Sequence, residues 1–231
     1  MHIERKLTVE FVGTFFLVFT VGMAVANAAE LAPLAIGAVL MVMVFAGGHV
    51  SGAHYNPAVS LAVLVRGKMA PNELGAYVIA QILAAVLAGL VVVLLGYDAD
   101  EAAELAGAGK MLVVEFLFTF ALAWVVLNVA TAEGTEGNSF YGLAIGFTVA
   151  AGAFSVGAVS GAAFNPAVAV GAMVIGVLSW GDIWIYLLAN GLGAAAAASL
   201  FLFTQPGEKP RGDERAAEPR GRGRASRATR R

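Results

Sequence analysis

Two asparagines, 165 − 56 = 109 residues apart, carry the most informative chemistry in the chain. Asn56 stands in Ser51-Gly52-Ala53-His54-Tyr55-Asn56-Pro57-Ala58-Val59. Asn165 stands in Ser160-Gly161-Ala162-Ala163-Phe164-Asn165-Pro166-Ala167-Val168. Each amide offers NH₂ donors beside a run of backbone carbonyls. No nucleophile–base pair or metal-ligand spacing accompanies them, so this is hydrogen-bonding chemistry and not that of an enzyme. The same offset relates Leu34-Ala35-Ile36-Gly37 to Leu143-Ala144-Ile145-Gly146, and Phe45 to Phe154. A register held this far without an insertion means two copies of one structural unit.

The elements that must position the asparagines are apolar. The chain is 59% hydrophobic and 13% charged, with a mean hydropathy of +0.81, whereas a soluble domain carries about a quarter charged residues. Six segments are long enough to cross roughly 30 Å of hydrocarbon: Leu7–Ala28, Leu34–Val50, Asn72–Gly96, Met111–Thr131, Phe140–Val159 and Gly181–Thr204. The first is too long for a signal-peptide core and has no evident cleavage site, so it is expected to be retained. Continuous apolar runs, and not alternating ones, argue against a strand-built barrel. Two further pieces, Pro57–Val65 and Pro166–Val177, each open with Asn-Pro, a good helix start with asparagine as N-cap and proline at the first turn. About ten helical residues rise roughly 15 Å, half the hydrocarbon depth. The expected fold class is therefore an all-α membrane protein, with six transmembrane helices plus two re-entrant half-helices in two inverted repeats (about 5–96 and 110–204). An odd number of crossings per copy makes the copies insert with opposite topology.

Charge sets the orientation. Arg5 and Lys6, Arg66 and Lys68, and the C-terminal basic residues fall on one side of six crossings. The other side has Lys110 beside Asp98, Asp100, Glu101 and Glu104. Both termini are thus expected to be cytoplasmic, in a multi-pass protein of the cell membrane. Nine of the 14 Lys and Arg lie after position 208. Residues 205–231 read as a disordered basic cytoplasmic tail following a channel domain at 1–204, solvated and able to touch anionic headgroups. No nucleic-acid partner is expected. Without cysteine there is no disulfide framework or thiol site, and no cofactor or metal is implied. His49 and His54 read as packing and backbone residues. Tyr97, Trp180, Trp184 and Tyr186 read as interfacial or lipid-facing aromatics.

The physics of the repeat follows. Antiparallel copies bring two helix N-termini together at mid-membrane, each with unpaired N–H groups and about half a positive charge. The stretches Gly47–Tyr55 and Val156–Phe164, with Gly47, Gly48, Gly52, Gly157 and Gly161, are expected to be extended, with carbonyls in a row leading to the asparagine donors. Such backbone is tolerated in a bilayer only where it lines a wet cavity or is buried in protein. A neutral molecule that donates and accepts hydrogen bonds matches this path. A cation is repelled at its centre, and a proton relay is interrupted there.

At these residues the chain resembles the aquaporin, or major intrinsic protein, family, over about residues 5 to 204. The resemblance implies a pore through each subunit of a homotetramer, with the pore motifs at Asn56, Pro57, Ala58 and Asn165, Pro166, Ala167. It also implies that Glu10 and Glu115, each opening Glu-Phe-(Val/Leu)-(Gly/Phe)-Thr, hold the loop backbones that supply the carbonyls. By alignment the family's selectivity filter falls on Ile36, Ala153, Ala162 and Val168. Most water-selective members have arginine at the last of these and histidine where Ala153 stands. The valine here is similar to plant vacuolar-membrane members, and the aspartate of glycerol channels is absent. These features imply a wider, apolar constriction passing water and small neutral solutes such as ammonia, urea or hydrogen peroxide. Two alternatives stay open: a secondary transporter, which also uses inverted repeats and broken helices, and a non-conducting structural membrane protein.

Overall fold

A computed structural model describes residues 2–97, 99 and 102–208 of the 231. Eight α-helices carry the architecture: α1 (Ile3–Ala26), α2 (Ala32–Ser51), α3 (Pro57–Val65), α4 (Pro71–Leu94), α5 (Ala108–Ala130), α6 (Tyr141–Ser160), α7 (Pro166–Ile175) and α8 (Ile183–Thr204). Short 3₁₀ turns join at Glu133–Thr135, Trp180–Asp182 and Pro206–Glu208. Among the described residues there is no strand. Six helices are long and apolar enough to cross a membrane, and α3 and α7 are too short. The second crossing gains its length from Ala32 and Pro33, because proline is harmless in a first turn. The last half-helix ends two residues earlier than expected. Gly176 takes a left-handed φ of 87° there and closes the helix.

The two repeats interlock. α1 packs on α2 and α4, and α5 packs on α6 and α8 in the same manner. Each half-helix crosses to the other copy: α3 lies against α5 and α8, and α7 against α1 and α4. The tips α3 and α7 also touch. Close approach rests on small residues, with Ala85 and Ala88 of α4 matched 109 positions on by Ala194 and Ala197 of α8, all fully buried. Outward-facing Ile79, Leu83, Leu90, Leu187, Leu192 and Phe203 are more than half exposed. An apolar belt of this kind marks a surface made for lipid or for other copies of the chain.

Three expectations need correction. The stretches Gly47–Tyr55 and Val156–Phe164 are not extended throughout, since α2 continues to Ser51 and α6 to Ser160. Only 52–55 and 161–164 leave the helix, so each carbonyl row is four residues long. Gly47 serves packing instead, for a Cβ there would stand 2.0 Å from the Tyr55 hydroxyl. Tyr186 is fully buried and does not face lipid. Tyr97, Trp180 and Trp184 are exposed. Finally, Gln205 to Glu208, assigned to the tail, are folded against the helices. Residues 209–231 lie outside the described residues, as do Asp98, Asp100 and Glu101 of the loop used for orientation.

Candidate functional site

The two loops between helix and half-helix have the same backbone. Gly52, Ala53 and Tyr55 take φ values of 88°, 50° and 49°; Gly161, Ala162 and Phe164 take 78°, 50° and 49°. Left-handed φ is costly for residues with a Cβ, so something must hold each loop in this shape.

A buried carboxylate does so in each half. Glu10 accepts from Ser51 Oγ (2.7 Å), His54 N–H (2.9 Å), Tyr55 N–H (2.7 Å) and Gln81 Nε2 (2.9 Å). Glu115 accepts from Ser160 Oγ (2.7 Å), Ala163 N–H (3.0 Å) and Phe164 N–H (2.8 Å). Its fourth donor is Asn190, in the amide orientation that satisfies every neighbour: nitrogen 3.1 Å from Glu115 and oxygen accepting from Asn165 N–H at 2.9 Å. With the N–H groups drawn toward the carboxylates, the loop carbonyls are left free of them.

Tyrosines close each assembly. Tyr77 donates to the Ser51 carbonyl at 2.7 Å, and Tyr186 donates to the Ser160 carbonyl at 2.6 Å. The pairs Tyr77/Tyr186 and Gln81/Asn190 obey the 109-residue offset. Carrying the repeat comparison past the half-helices would have found all four. Tyr186→Phe leaves a buried helix-end carbonyl unpaired and should destabilise the protein by about 1–2 kcal/mol. The readout is melting in detergent, and an unchanged midpoint would remove the hydroxyl from the account.

At the tips, each asparagine does two jobs. Asn56 Oδ1 accepts from Ala58 N–H (2.8 Å) and Val59 N–H (3.4 Å), and Asn165 Oδ1 from Ala167 N–H (2.9 Å) and Val168 N–H (3.4 Å). Capping turns each NH₂ away from its own helix. Asn56 Nδ2 then donates to the Phe164 carbonyl at 2.9 Å, and Asn165 Nδ2 to the Tyr55 carbonyl at 2.8 Å. This reciprocal brace, unseen in the sequence, uses one N–H of each amide, and among the described residues the second N–H has no protein partner. Pro57 and Pro166 sit in the first turns behind them, with Ala58 and Ala167 buried.

Both asparagines line one internal cavity. Ile36 of α2, Ala153 of α6, Ala162 of the second loop and Val168 of α7 line the same cavity. Its only other polar side chain is His54, whose Nδ1 lies 3.0 Å from Ser60 Oγ and whose ring packs on Tyr77. The remaining lining is apolar, including Leu17, Val21, Leu122 and Val149. No cluster of three or more metal-ligating side chains occurs among the described residues.

A sequence profile for Major intrinsic protein matches residues 1–201. The chain belongs to the major intrinsic protein family. It is similar to aquaporin NIP1-4 of Oryza sativa subsp. japonica, 39% identical over 206 residues that cover 84% of this chain and 74% of the relative. Nodulin-26 of Glycine max is 37% identical over 219 residues, covering 89% and 80%. The fold is similar to the X-ray structure of the aquaglyceroporin from Plasmodium falciparum, with a TM-score of 0.76 and 21% identity, covering 87% of this chain and 96% of that one. As a member of this family the protein is a membrane channel and not an enzyme. Its likeness to vacuolar-membrane members rests on Val168 alone, whereas the whole-chain relatives above carry NIP and nodulin names.

Proposed function

We propose that the protein is a passive channel for water together with small uncharged solutes of the size of ammonia, urea or hydrogen peroxide. One observation carries the reading: a cavity that is apolar apart from His54 meets two fixed asparagine amides at the point where two helix N-termini converge. A neutral hydrogen-bonding solute loses its water shell along an apolar wall and regains partners at the amides and loop carbonyls. A cation gains no compensating anion there and faces two positive helix ends. Ile36, Ala153, Ala162 and Val168 act as the narrow filter, wide and apolar for want of an arginine. Glu10 and Glu115 act as loop anchors. With four donors each, neither is open to bind a coupling ion, which weighs against a secondary transporter. The apolar outer belt fits packing into a homotetramer in a bilayer, and the Lys and Arg distribution fits cytoplasmic termini in the cell membrane.

Stopped-flow light scattering on proteoliposomes tests this. Osmotic permeability should rise above empty vesicles, with urea flux linear in its gradient. Permeability equal to empty vesicles defeats the water reading, and saturable flux driven by an ion gradient favours the transporter. Val168→Arg should narrow the filter and cut urea flux by about tenfold, a barrier increase of about 1.4 kcal/mol, while lowering water flux less. An equal fall in both would remove Val168 from the constriction.

A further inference from the structure

His54 and Ser60 break the repeat. At the 109-residue offset the second half holds Ala163 and Ala169 in their places. The two loops nevertheless share one backbone, with left-handed φ at matching positions, and α7 starts from its asparagine cap as α3 does. Neither the loop nor the half-helix therefore needs this polar pair in order to form. Both side chains are buried, His54 at 8% and Ser60 at 0% exposure, and burying polar groups is costly unless they are bonded. The sequence marks His54 as a packing residue, whereas in the structure it lines the cavity that holds both asparagines.

Three contacts at one hydroxyl fix the imidazole. Gln81 Nε2 faces the Glu10 carboxylate at 2.9 Å, which settles the amide's orientation, and the same nitrogen donates to Ser60 Oγ at 3.1 Å. Ser60 Oγ in turn donates to the Asn56 carbonyl at 3.1 Å. His54 Nδ1 lies 3.0 Å from that hydroxyl. Ser60 has one proton to give, so all three contacts are hydrogen bonds only when His54 Nδ1 carries a proton and donates. A neutral imidazole then keeps a lone pair on Nε2. Among the described residues Nε2 has no protein partner, and unlike Gln81 Oε1 it is not sealed inside the protein. It lies beside Gly52, where an added Cβ would come within 3.1 Å of it.

The ring also stands at a junction. His54 and Val126 are the two residues that line both the asparagine cavity and a second cavity of about 250 Å³. That second cavity lies at the end of the bundle where Lys6 pairs with Glu73. Ile36, Ala153, Ala162 and Val168 line the first cavity and not the second.

We propose that His54, beside Val126, is a second selectivity station of the channel, and that it selects solutes bearing N–H or O–H donors by presenting the bare Nε2 as an acceptor. A solute whose oxygen faces the asparagine amides has its own donors pointing away from them. On the first-loop side Nε2 takes one of those donors, while the matching place on the other side is the methyl group of Ala163. Selection for donors then rests on this station, because the four filter residues are apolar. The inference deepens the channel reading above and rests on it.

Two readouts test it. Full-length protein with ¹⁵N-labelled histidine, in phosphatidylcholine bilayers, reports the ring by NMR. The chain has 3 histidines, and His54→Ala assigns the His54 signals by their loss. A protonated Nδ1 and an unprotonated Nε2 are expected, and a proton on Nε2 overturns the proposal whether or not the protein conducts. The second readout is urea permeability of proteoliposomes at matched protein content, for the wild type, His54→Ala and His54→Phe. If His54 were merely a wall, flux would rise with the smaller alanine and fall with the larger phenylalanine. An acceptor predicts a fall in both by about fivefold, or about 1 kcal/mol on the barrier, the scale of one neutral hydrogen bond. Urea flux in His54→Ala equal to or above the wild type overturns the proposal. So does loss of its folded state in a detergent melt, which would make His54 a folding residue. A wild type that passes neither water nor urea defeats the channel reading and the selectivity role with it, while the NMR still decides which nitrogen holds the proton.

Discussion

Glu10→Gln and Glu115→Gln should each abolish flux and destabilise the protein by about 3 kcal/mol or more, the scale seen when a buried charged partner is removed. A carboxylate at either position meets four donors and no acceptor. Glutamine keeps the shape but replaces one acceptor oxygen with an NH₂, which must then face two of those donors. Charge-assisted bonds are about twice as strong as neutral ones, so the surviving oxygen also holds its loop less firmly. The loops cannot absorb this. Ala53, Tyr55, Ala162 and Phe164 sit at left-handed φ near 50°, and the N–H bonds of His54, Tyr55, Ala163 and Phe164 to the carboxylates offset that strain. Freed, the loop relaxes toward ordinary φ, its carbonyls rotate, and the opposing asparagine loses its acceptor at Tyr55 or Phe164. One substitution therefore breaks the brace from both sides. Melting in detergent and osmotic permeability are the readouts, and a Glu115→Gln protein that melts and conducts like the wild type would show that the carboxylates are incidental.

How much of this was legible in the chain depended on the range of the interaction. Half-helix α3 runs over Pro57–Val65, as the asparagine cap and following proline require, because capping is local. The repeat register placed Asn56 against Asn165, since an inverted pair has few ways to meet. By contrast, the brace joins residues 108 and 110 positions apart, and nothing in either loop alone announces it. Tyr186 reads as lipid-facing because α8 is apolar on every side, so its pattern does not separate lipid from core. Arg66 read only as a topology signal beside Lys68, yet it is buried whereas Lys68 is exposed. A charge's sequence position gives its side of the membrane, not its depth. Five glycines near the loops read as extended backbone. Three of them instead lie within α2 and α6, and of these Gly47 is the one whose neighbour, Tyr55, needs the space.

That need is hardest to relieve where α2 crosses α6, and it yields the second large effect. Gly37→Ala and Gly146→Ala should each destabilise the fold by about 3 kcal/mol or more, beyond ordinary overpacking of about 1–3 kcal/mol. The two glycines are equivalent by the 109-residue offset and meet each other. A Cβ on Gly37 would lie 2.6 Å from the Gly146 carbonyl oxygen, and one on Gly146 would lie 2.4 Å from the Gly37 oxygen. Both obstacles are backbone, so no rotamer change relieves them and the helices must separate. Alanine's better helix propensity, about 1 kcal/mol, is too small to offset this. Separation would also widen the pore, because Ile36 and Ile145 precede the two glycines and both line the cavity. The variants that still fold should therefore lose discrimination between urea and water. Gly75→Ala is the control, in a helix with nothing within 4 Å of the new Cβ, and should be neutral or slightly stabilising. A Gly146→Ala protein melting at or above the wild-type temperature would mean that α2 and α6 are not in contact through these glycines, and the pseudo-twofold crossing would have to be redrawn.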